Sequence, residues 1–202
     1  MNCLAVDTSG SHLTVIIITE NGCFVEYVDN CNLQHSVVLM PTIENLLIKN
    51  NISLDKIDVF ACNVGPGSFT GIRIGVSTIK AFCYAKNKKV FPVTSFDVLA
   101  YNKESGKNLA VIDAKHDNYY VCGYDGTNAI TKPQFVDRET LSKLKEEYEE
   151  ILTSSDIEIK NKNCDLKEGF LKAVKGLIKT ATFDKESLVP LYVRKSQAEE
   201  SL

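Results

Sequence analysis

The chain has 202 residues, enough for one or two domains, and its hydrophobic and charged fractions of 44 % and 24 % are ordinary for a folded protein. This composition excludes disordered, collagen-like and low-complexity chains. With 23 basic and 26 acidic residues the net charge is −3, so the chain as a whole does not attract nucleic acid or an anionic membrane.

The sequence also lacks the usual signatures of membrane insertion and secretion. No apolar run approaches the roughly 20 residues that cross a bilayer, and the opening Met1–Asp7 is typical of a strand and not of a signal peptide. Seven cysteines are an odd number and form no Cys-x-x-Cys pair, which favours reduced, buried thiols. We therefore expect a cytoplasmic protein without membrane contact.

The first half of the chain alternates between strand and helix patterns. Three strands come first, and Asn21-Gly22 between the second and the third is typical of a hairpin. Leu39, Ile43 and Leu46 then fall on one helical stripe. The predicted elements in chain order are strands at 2–7, 12–19 and 23–28, a helix at 35–50, a strand at 57–61, a glycine-rich turn at 65–71, a helix from 68 to about 86, a strand at 90–93 and a short helix at 95–101.

After a polar connector at 102–108, the opening pattern of the chain returns. Leu4-Ala5-Val6-Asp7 is matched by Ala110-Val111-Ile112-Asp113 at an offset of 106 residues, and Leu13-Thr14-Val15 is matched at the same offset by Tyr119-Tyr120-Val121. The repeat indicates a duplicated lobe. A chance resemblance between two short buried strands is the alternative.

The second copy is shorter than the first. It contains predicted helices at 137–150 and 166–179, with a short strand at 151–152 between them, and ends in a polar tail. We predict an α/β fold of two lobes, each a mixed sheet opened by a β-meander and flanked by helices. The first lobe spans residues 1–103, and the shortened second lobe spans residues 104–202.

A glycine-rich segment between a strand and a helix is the strongest local signal. Such segments let backbone N–H groups approach an anion at a helix N-terminus, and hydroxyl and guanidinium groups add further donors. No Gly-Lys-Ser/Thr follows, so the segment is not a P-loop. The alternative is a tight turn in which Ser68 caps the helix. The candidate phosphate-binding residues are Gly65, Gly67, Ser68, Thr70 and Arg73.

Two aspartates end the matching strands of the repeat. Asp7, followed by Thr8 and Ser9, and Asp113 could each hold a metal-bound phosphate, or each could close an Asx turn. The three histidines at 12, 35 and 116 are too scattered to predict a metal site. No arrangement of residues nominates a nucleophile.

The helix that follows the glycine-rich segment combines an apolar stripe with two glycines. Because a glycine inside a helix costs about 1 kcal/mol relative to alanine, Gly71 and Gly75 indicate that another backbone approaches closely. That backbone could belong to the same chain or to another subunit. One lobe offers few layers to cover both this helix and the one at 35–50, which favours a partner protein.

Several segments together resemble the bacterial TsaB (YeaZ) family. They are the opening Leu4-Ala5-Val6-Asp7-Thr8-Ser9, the helix carrying His35-Ser36 and Leu39-Met40-Pro41, the run Asn63-Val64-Gly65-Pro66-Gly67-Ser68-Phe69-Thr70-Gly71-Ile72-Arg73-Ile74-Gly75, then Ile112-Asp113-Ala114 and Leu191-Tyr192-Val193-Arg194. The resemblance spans the chain and is dense to about residue 122. It implies the actin-like, ribonuclease-H-like superfold.

The resemblance also implies a non-catalytic subunit. Members bind TsaD, the catalytic paralogue, and TsaE, an ATPase, and together these proteins place a threonylcarbamoyl group on N6 of the tRNA adenosine beside the anticodon. TsaD carries a metal-binding His-x-x-x-His helix, whereas here His35 is followed by Leu39. The resemblance thus implies no metal and no resident cofactor, with at most weak ATP or ADP binding at the junction with TsaD. It implies contact with tRNA only through the complex.

The family pairs through the two helices of its first lobe, with TsaD or, when alone, as a homodimer. The predicted interface comprises His35, Leu39, Ile43, Leu46, Gly71, Ile72, Gly75, Val76 and Ile79. On this hypothesis Gly75→Leu weakens TsaD binding and leaves the fold intact. The alternatives are a small-molecule kinase or ATPase of the same superfold, a glycoprotease-like metallopeptidase, and a homodimeric regulator.

Overall fold

A computed structural model describes residues 1–31, 33–155, 157 and 161–193 of the protein. They form two compact units. Among the described residues, unit 1 comprises 1–95 and 173–190, and unit 2 comprises 96–172 and 191–193. The predicted division after residue 103 is continuous, whereas these units are interleaved. The two divisions differ because Thr182 pairs with Val90, and this pairing returns the C-terminal segment to unit 1.

Unit 1 is built on a five-stranded mixed sheet with two long helices. The elements are β1 (Cys3–Asp7), β2 (Leu13–Thr19), β3 (Gly22–Val28), α1 (His35–Lys49), β4 (Val59–Asn63), α2 (Phe69–Lys86) and β5 (Lys89–Val93), with a short 3-10 turn at Leu54–Lys56.

The strand order in this sheet is β3-β2-β1-β4-β5. The meander β1–β3 is antiparallel, and β4 and β5 run parallel to β1. Helix α1 packs on β2 and β3, α2 packs on β1 and β4, and the helices touch each other, so both lie on one face of the sheet.

The remaining elements begin at the boundary between the units. They are α3 (Ser95–Ala100), β6 (Lys107–Asp113), β7 (Asn118–Asp125), β8 (Asn128–Ala129), β9 (Gln134–Asp137), α4 (Arg138–Leu144), β10 (Glu150–Thr153), β11 (Lys162–Asn163) and α5 (Leu166–Leu177), with short 3-10 turns at Lys145–Glu147, Ile178–Thr180 and Lys185–Ser187.

Unit 2 repeats the arrangement of unit 1. Its sheet has the order β11-β10-β6-β7-β8, with β9 also paired to β7, and β10 runs parallel to β6 as β4 does to β1. The predicted duplication is therefore confirmed.

The repeat is offset by one residue in its second strand. Asp7 pairs with Thr14 across β1 and β2, whereas Asp113 pairs with Tyr119 across β6 and β7. The turn in unit 2 is thus one residue shorter, and the structural counterpart of Thr14 is Tyr119 and not Tyr120. The first strand of the repeat was predicted in the correct register, and the second was not.

Unit 2 is shorter than unit 1 at two connections, since α4 has 7 residues against 15 in α1 and the last crossover is short. In unit 1 the 18-residue helix α2 joins β4 to β5, but only residues 154–161 separate β10 from β11. The helix predicted at 137–150 is also shorter than expected. It ends at Leu144, because Glu150–Thr153 pair with β6 as a strand.

The apolar stripes of α1 and α2 face their own sheet. His35, Leu39, Ile43, Leu46, Ile72, Val76 and Ile79 are all buried within the chain. The two helical glycines are buried as well. The prediction that these side chains form a partner interface is therefore wrong, because the sheet already covers them. Apolar spacing identifies a buried face but does not say which chain buries it.

The two glycines of α2 explain how closely the helix approaches β1. A Cβ at Gly75 would lie 2.5 Å from Thr8 Oγ1 and 3.0 Å from Cys62 Sγ, and a Cβ at Gly71 would collide with the Thr8 carbonyl oxygen. The Thr8 hydroxyl donates a hydrogen bond of 2.7 Å to the Gly71 carbonyl oxygen. The close contact that the glycines indicated is thus the intrachain alternative.

We expect Gly75→Leu to destabilise the protein by about 1–3 kcal/mol, because the new side chain enters a filled space beneath α2. Equilibrium unfolding in urea measures this change. Ala81→Leu is the matched control, since Ala81 lies exposed on the same helix, and it should change stability by no more than about 0.5 kcal/mol. Equal stabilities of the two variants would contradict this account of the packing.

Candidate functional site

A buried polar cluster lies where β1 and β4 end. Asp7 Oδ1 accepts hydrogen bonds from the backbone N–H of Ser9 at 2.8 Å and from the Ser9 hydroxyl at 2.7 Å. Asp7 Oδ2 accepts one from Asn63 Nδ2 at 2.9 Å. Ser95 Oγ donates to Asn63 Oδ1 at 3.1 Å. The carboxylate is therefore surrounded by donors of its own chain.

His12 completes the surroundings of the carboxylate. Its Nε2 atom lies 3.5 Å from Asp7 Oδ2, and both side chains are buried. Burial alone would raise the pKa of Asp7, but the charge of His12 and the hydrogen bonds from Ser9 and Asn63 hold it at about 2. Burial alone would lower the pKa of His12, but Asp7, with a smaller contribution from Asp29, raises it above 6.5. The pair is thus a buried carboxylate facing an imidazole, and each group favours the charged form of the other.

The glycine-rich segment rests against the turn that follows β1. The Ser68 N–H donates to the Ser9 carbonyl oxygen at 2.6 Å, and the Gly65 N–H donates to Asn63 Oδ1 at 2.9 Å. A Cβ at Gly67 would collide with the Ser9 carbonyl oxygen, so glycine is needed there for the close approach. The backbone N–H groups of Gly65 and Ser68 are thus engaged within the chain.

Ser68 is the N-cap of α2, since its hydroxyl accepts a hydrogen bond from the Gly71 N–H at 3.2 Å. This is the tight turn that the sequence left as the alternative to a phosphate site. Thr70 and Arg73 lie exposed on the first turns of α2, and the Arg73 guanidinium carbon lies 3.7 Å from the centre of the Phe69 ring. Phosphate binding by the predicted set of residues stays a prediction.

Asp113 closes a turn in the same way as Asp7. Its Oδ1 atom accepts a hydrogen bond from the Lys115 N–H at 2.7 Å, two residues along, as Asp7 accepts from Ser9. Burial works to raise the pKa of Asp113, but contacts with Lys115 outweigh it and lower the pKa. Both strand-ending aspartates therefore form Asx turns. They lie in different units, and Asp113 is more exposed than Asp7.

His35 has a structural contact that accounts for its burial. Its Nε2 atom donates to the His12 carbonyl oxygen at 2.9 Å and so ties the start of α1 to the turn after β1. Leu39, one helical turn later, belongs to the core. Among the residues that the structure describes, no group of three or more His, Cys, Asp or Glu side chains is arranged to hold a metal ion.

The cysteines behave as the composition predicted, because six of the seven are buried and all seven are free thiols. Burial raises the pKa of Cys3 to about 12. Burial, reinforced by the charge of Asp7, raises that of Cys62 well above its usual value. The attacking form of a cysteine is the thiolate, so these two thiols are poor nucleophiles.

The outward faces of α1 and α2 present a different set of residues. Val37, Met40 and Ile48 on α1 are 71 %, 47 % and 66 % exposed, and they recur at helical spacing. The exposed residues of α2 include Thr70, Ser77 and Ala81, which are small and also recur at helical spacing. We call these residues, together with the exposed Pro41, the outer helical face: Val37, Met40, Pro41, Ile48, Thr70, Ser77 and Ala81.

Three members of the polar cluster were not identified from sequence as a group with Asp7. They are His12, Asn63 and Ser95, which come from three separate segments. Asn63 carried a usable signal, since a polar residue ends the buried strand Val59–Asn63. Arg194, the last residue of the quoted motifs, and the polar tail lie outside the described residues.

Stability should depend on pH through the buried pair. The pKa of His12 is raised by folding, so its contribution is complete below pH 6.5 and is lost as the pH rises through the higher folded value. The contribution of Asp7 is complete above pH 3.8 and is lost as the pH falls towards about 2. The free energy of unfolding should therefore decline above pH 6.5.

Urea unfolding between pH 5 and 9 tests this dependence. His12→Gln should flatten the decline above pH 6.5, because the titrating imidazole is gone. The control His116→Gln alters an exposed histidine of unit 2 and should leave the decline unchanged. A His12→Gln variant with the wild-type pH profile would show that the pair does not titrate as described.

Comparisons with known proteins agree with the architecture. The profile of the family described as "TsaD: tRNA N6-adenosine threonylcarbamoyltransferase" matches residues 29–171. YeaZ from Pseudomonas aeruginosa superposes with a TM-score of 0.74 at 20 % identity, over 95 % of this chain and 99 % of that one. This structural likeness supports the fold. No helix among the described residues combines the length and the apolar character that a membrane span requires.

Curated relatives carry a consistent name. The "tRNA threonylcarbamoyladenosine biosynthesis protein TsaB" of Bacillus subtilis is 28 % identical over 70 % of this chain and 62 % of its own length. The protein of the same name from Escherichia coli is 26 % identical over 73 % of this chain and 69 % of its own length. The match thus spans about three-fifths of the Bacillus protein. The chain belongs to the TsaD family, and the relatives that it matches there are TsaB (YeaZ) proteins, as its motifs predicted.

Proposed function

We propose that this chain is a non-catalytic subunit in the biosynthesis of N6-threonylcarbamoyladenosine in tRNA, and that it acts by binding and supporting TsaD together with TsaE. The names of the TsaB relatives support the pathway. This function places the protein in the cytoplasm. In the absence of TsaD, two copies pair through the surface that otherwise receives it.

The single observation that carries the proposal is the engagement of Asp7. Its two oxygens receive three hydrogen bonds from Ser9 and Asn63, and His12 faces Oδ2. A pKa of about 2 makes this carboxylate a weak base. A kinase or ATPase of the same superfold needs a strand-ending carboxylate that reaches its metal-bound phosphate, so the arrangement favours a supporting role.

The outer helical face is the surface that we assign to TsaD. Its α1 part is apolar and exposed, and burial of apolar area drives protein association. Its α2 part is exposed as well, and Arg73 and Tyr84 lie among the small residues at the same helical spacing, so a partner meets a mixed surface there. This assignment replaces the buried residues predicted from the sequence with their outward-facing neighbours on the same two helices.

Acidic substitutions on α1 should weaken TsaD binding. We expect Val37→Asp and Met40→Glu each to raise the Kd about tenfold or more, which is ~1.4 kcal/mol, because a charge would be buried against an apolar partner surface. Both positions lie in the first half of α1, where an acidic residue suits the helix dipole. The fold should therefore survive, and calorimetry with purified TsaD measures the affinity.

The matched control is Ile130→Asp. Ile130 is also exposed and apolar but lies in unit 2, so this variant should bind TsaD with wild-type affinity. If the two α1 variants are folded and bind as tightly as the control, the outer helical face is not the TsaD surface.

Reconstitution tests the non-catalytic role. With threonylcarbamoyl adenylate as the donor of the transferred group and ATP for TsaE, the three proteins TsaD, TsaE and this chain should modify an unmodified tRNA that has an adenosine beside its anticodon. Omission of this chain should abolish or strongly reduce product. The chain alone should hydrolyse no ATP and cleave no protein. ATP turnover by the chain alone would favour the kinase alternative instead.

A further inference from the structure

An exposed aromatic ring in unit 1 lies near two ammonium groups. Phe183 is 55 % exposed. Lys89 Nζ lies 5.4 Å from the centre of its ring, and Lys185 Nζ lies 5.6 Å from it. Both distances are those of cation–π contacts. A ring so exposed keeps surface on which a planar ligand can stack.

Backbone pairing brings these residues together. Val90 and Thr182 form an antiparallel bridge, in which the Val90 N–H donates to the Thr182 carbonyl oxygen at 2.7 Å and the Thr182 N–H donates back at 2.9 Å. The next residues along, Lys89 and Phe183, are therefore cross-strand neighbours. Their proximity follows from the backbone and not from two long side chains meeting on a surface.

The lysines around this ring differ from others nearby in their partners. Lys185 Nζ donates to Asn87 Oδ1 at 3.0 Å, which is a contact with an uncharged group. By contrast, Lys86 pairs with the Asp55 carboxylate. We call Lys89, Phe183 and Lys185 the lysine–phenylalanine patch.

The acidic side chains nearest in sequence are already engaged. Glu186 accepts hydrogen bonds from Tyr84 and Lys80, and Asp184 Oδ1 accepts one from the Glu186 N–H at 3.0 Å. Glu186 is thus paired with Lys80, so the two lysines of the patch outnumber the one remaining carboxylate nearby in sequence, that of Asp184.

We propose that the lysine–phenylalanine patch binds single-stranded or loop RNA, with a base stacked on Phe183 and the flanking phosphates at the lysines. Unstacked bases on aromatic side chains, with cations along the backbone, are the usual chemistry of such sites. The inference rests on the proposed function for the identity of the RNA as a tRNA. It departs from the expectation that tRNA is met only through the complex.

Fluorescence anisotropy with the full chain tests the patch. The probes are an unmodified tRNA transcript and a twelve-residue oligoadenylate, each titrated at several salt concentrations. Phe183→Ala should weaken binding about tenfold, and Phe183→Tyr should retain it, because a second aromatic ring restores the stacking surface. Replacing Lys89 and Lys185 together with Gln should reduce the salt slope by about 1.4, or about 0.7 for each phosphate contact.

The control removes the same charge elsewhere. Lys132 and Lys167 are exposed residues of unit 2, and replacing both with Gln should leave RNA affinity within about twofold of wild type. Equal losses in the patch and control variants would overturn the proposal. So would equal affinity for heparin or an acidic peptide, because the patch would then be a general anion surface.

TsaD affinity, measured on the same variants, separates this inference from the proposed function. Patch variants should keep wild-type TsaD binding, since the patch contains no residue of the outer helical face. Intact TsaD binding with unchanged RNA affinity in Phe183→Ala overturns the patch alone. Failure of the wild-type chain to bind TsaD overturns the proposed function, and the RNA titrations then stand on their own result.

Discussion

The contact between Thr8 and the first turns of α2 fixes how closely this helix packs against the sheet of unit 1. Thr8 directly follows β1. Its hydroxyl donates a hydrogen bond to the Gly71 carbonyl oxygen, and its side chain fills the space that a Cβ at Gly75 would need. Because the helix backbone lies this close to the strand, the glycine-rich segment is pressed against the turn after β1. The same approach closes the glycine-rich segment against Ser9 and Asn63.

The closure has a chemical consequence at Asp7. The residue stands at the end of the first strand, but its oxygens are occupied by Ser9, Asn63 and His12. A buried ion pair of this kind is poor evidence for extra stability, since desolvation offsets much of the attraction. Its better-supported effect here is positional, because His12 is also tied through its carbonyl oxygen to His35 at the start of α1.

The sequence predicted the order of the elements well, but it predicted less well what the apolar face of each helix packs against. Period-2 and helical patterns located the meander and both long helices of unit 1, since local spacing alone carries that information. Local spacing could not tell whether Leu39 and Ile72 pack on the chain's own sheet or on a partner protein, because both environments are apolar. The strands β8, β9 and β11 are two to four residues long, which is too short for a periodic signal.

In the candidate site, too, the sequence identified the residues that have a local signal and missed those that do not. Asp7 and the glycine-rich segment were visible because strand ends and glycine runs have local signatures. Their partners Asn63 and Ser95 were not, because a hydrogen bond across 32 residues depends on sheet order. The sequence separation between Val90 and its partner Thr182 is larger still, and no sequence pattern near either residue predicts their pairing.

That pairing bears on how the chain is made. Unit 1 is complete only when residues 173–190 have joined the strands of the first 95. A ribosome adding about 5–20 residues per second needs on the order of 5–20 s to synthesise the intervening stretch. Throughout that interval β5 lacks its neighbour Thr182, so the nascent polypeptide carries an unpaired strand edge, the kind of surface on which chaperones act.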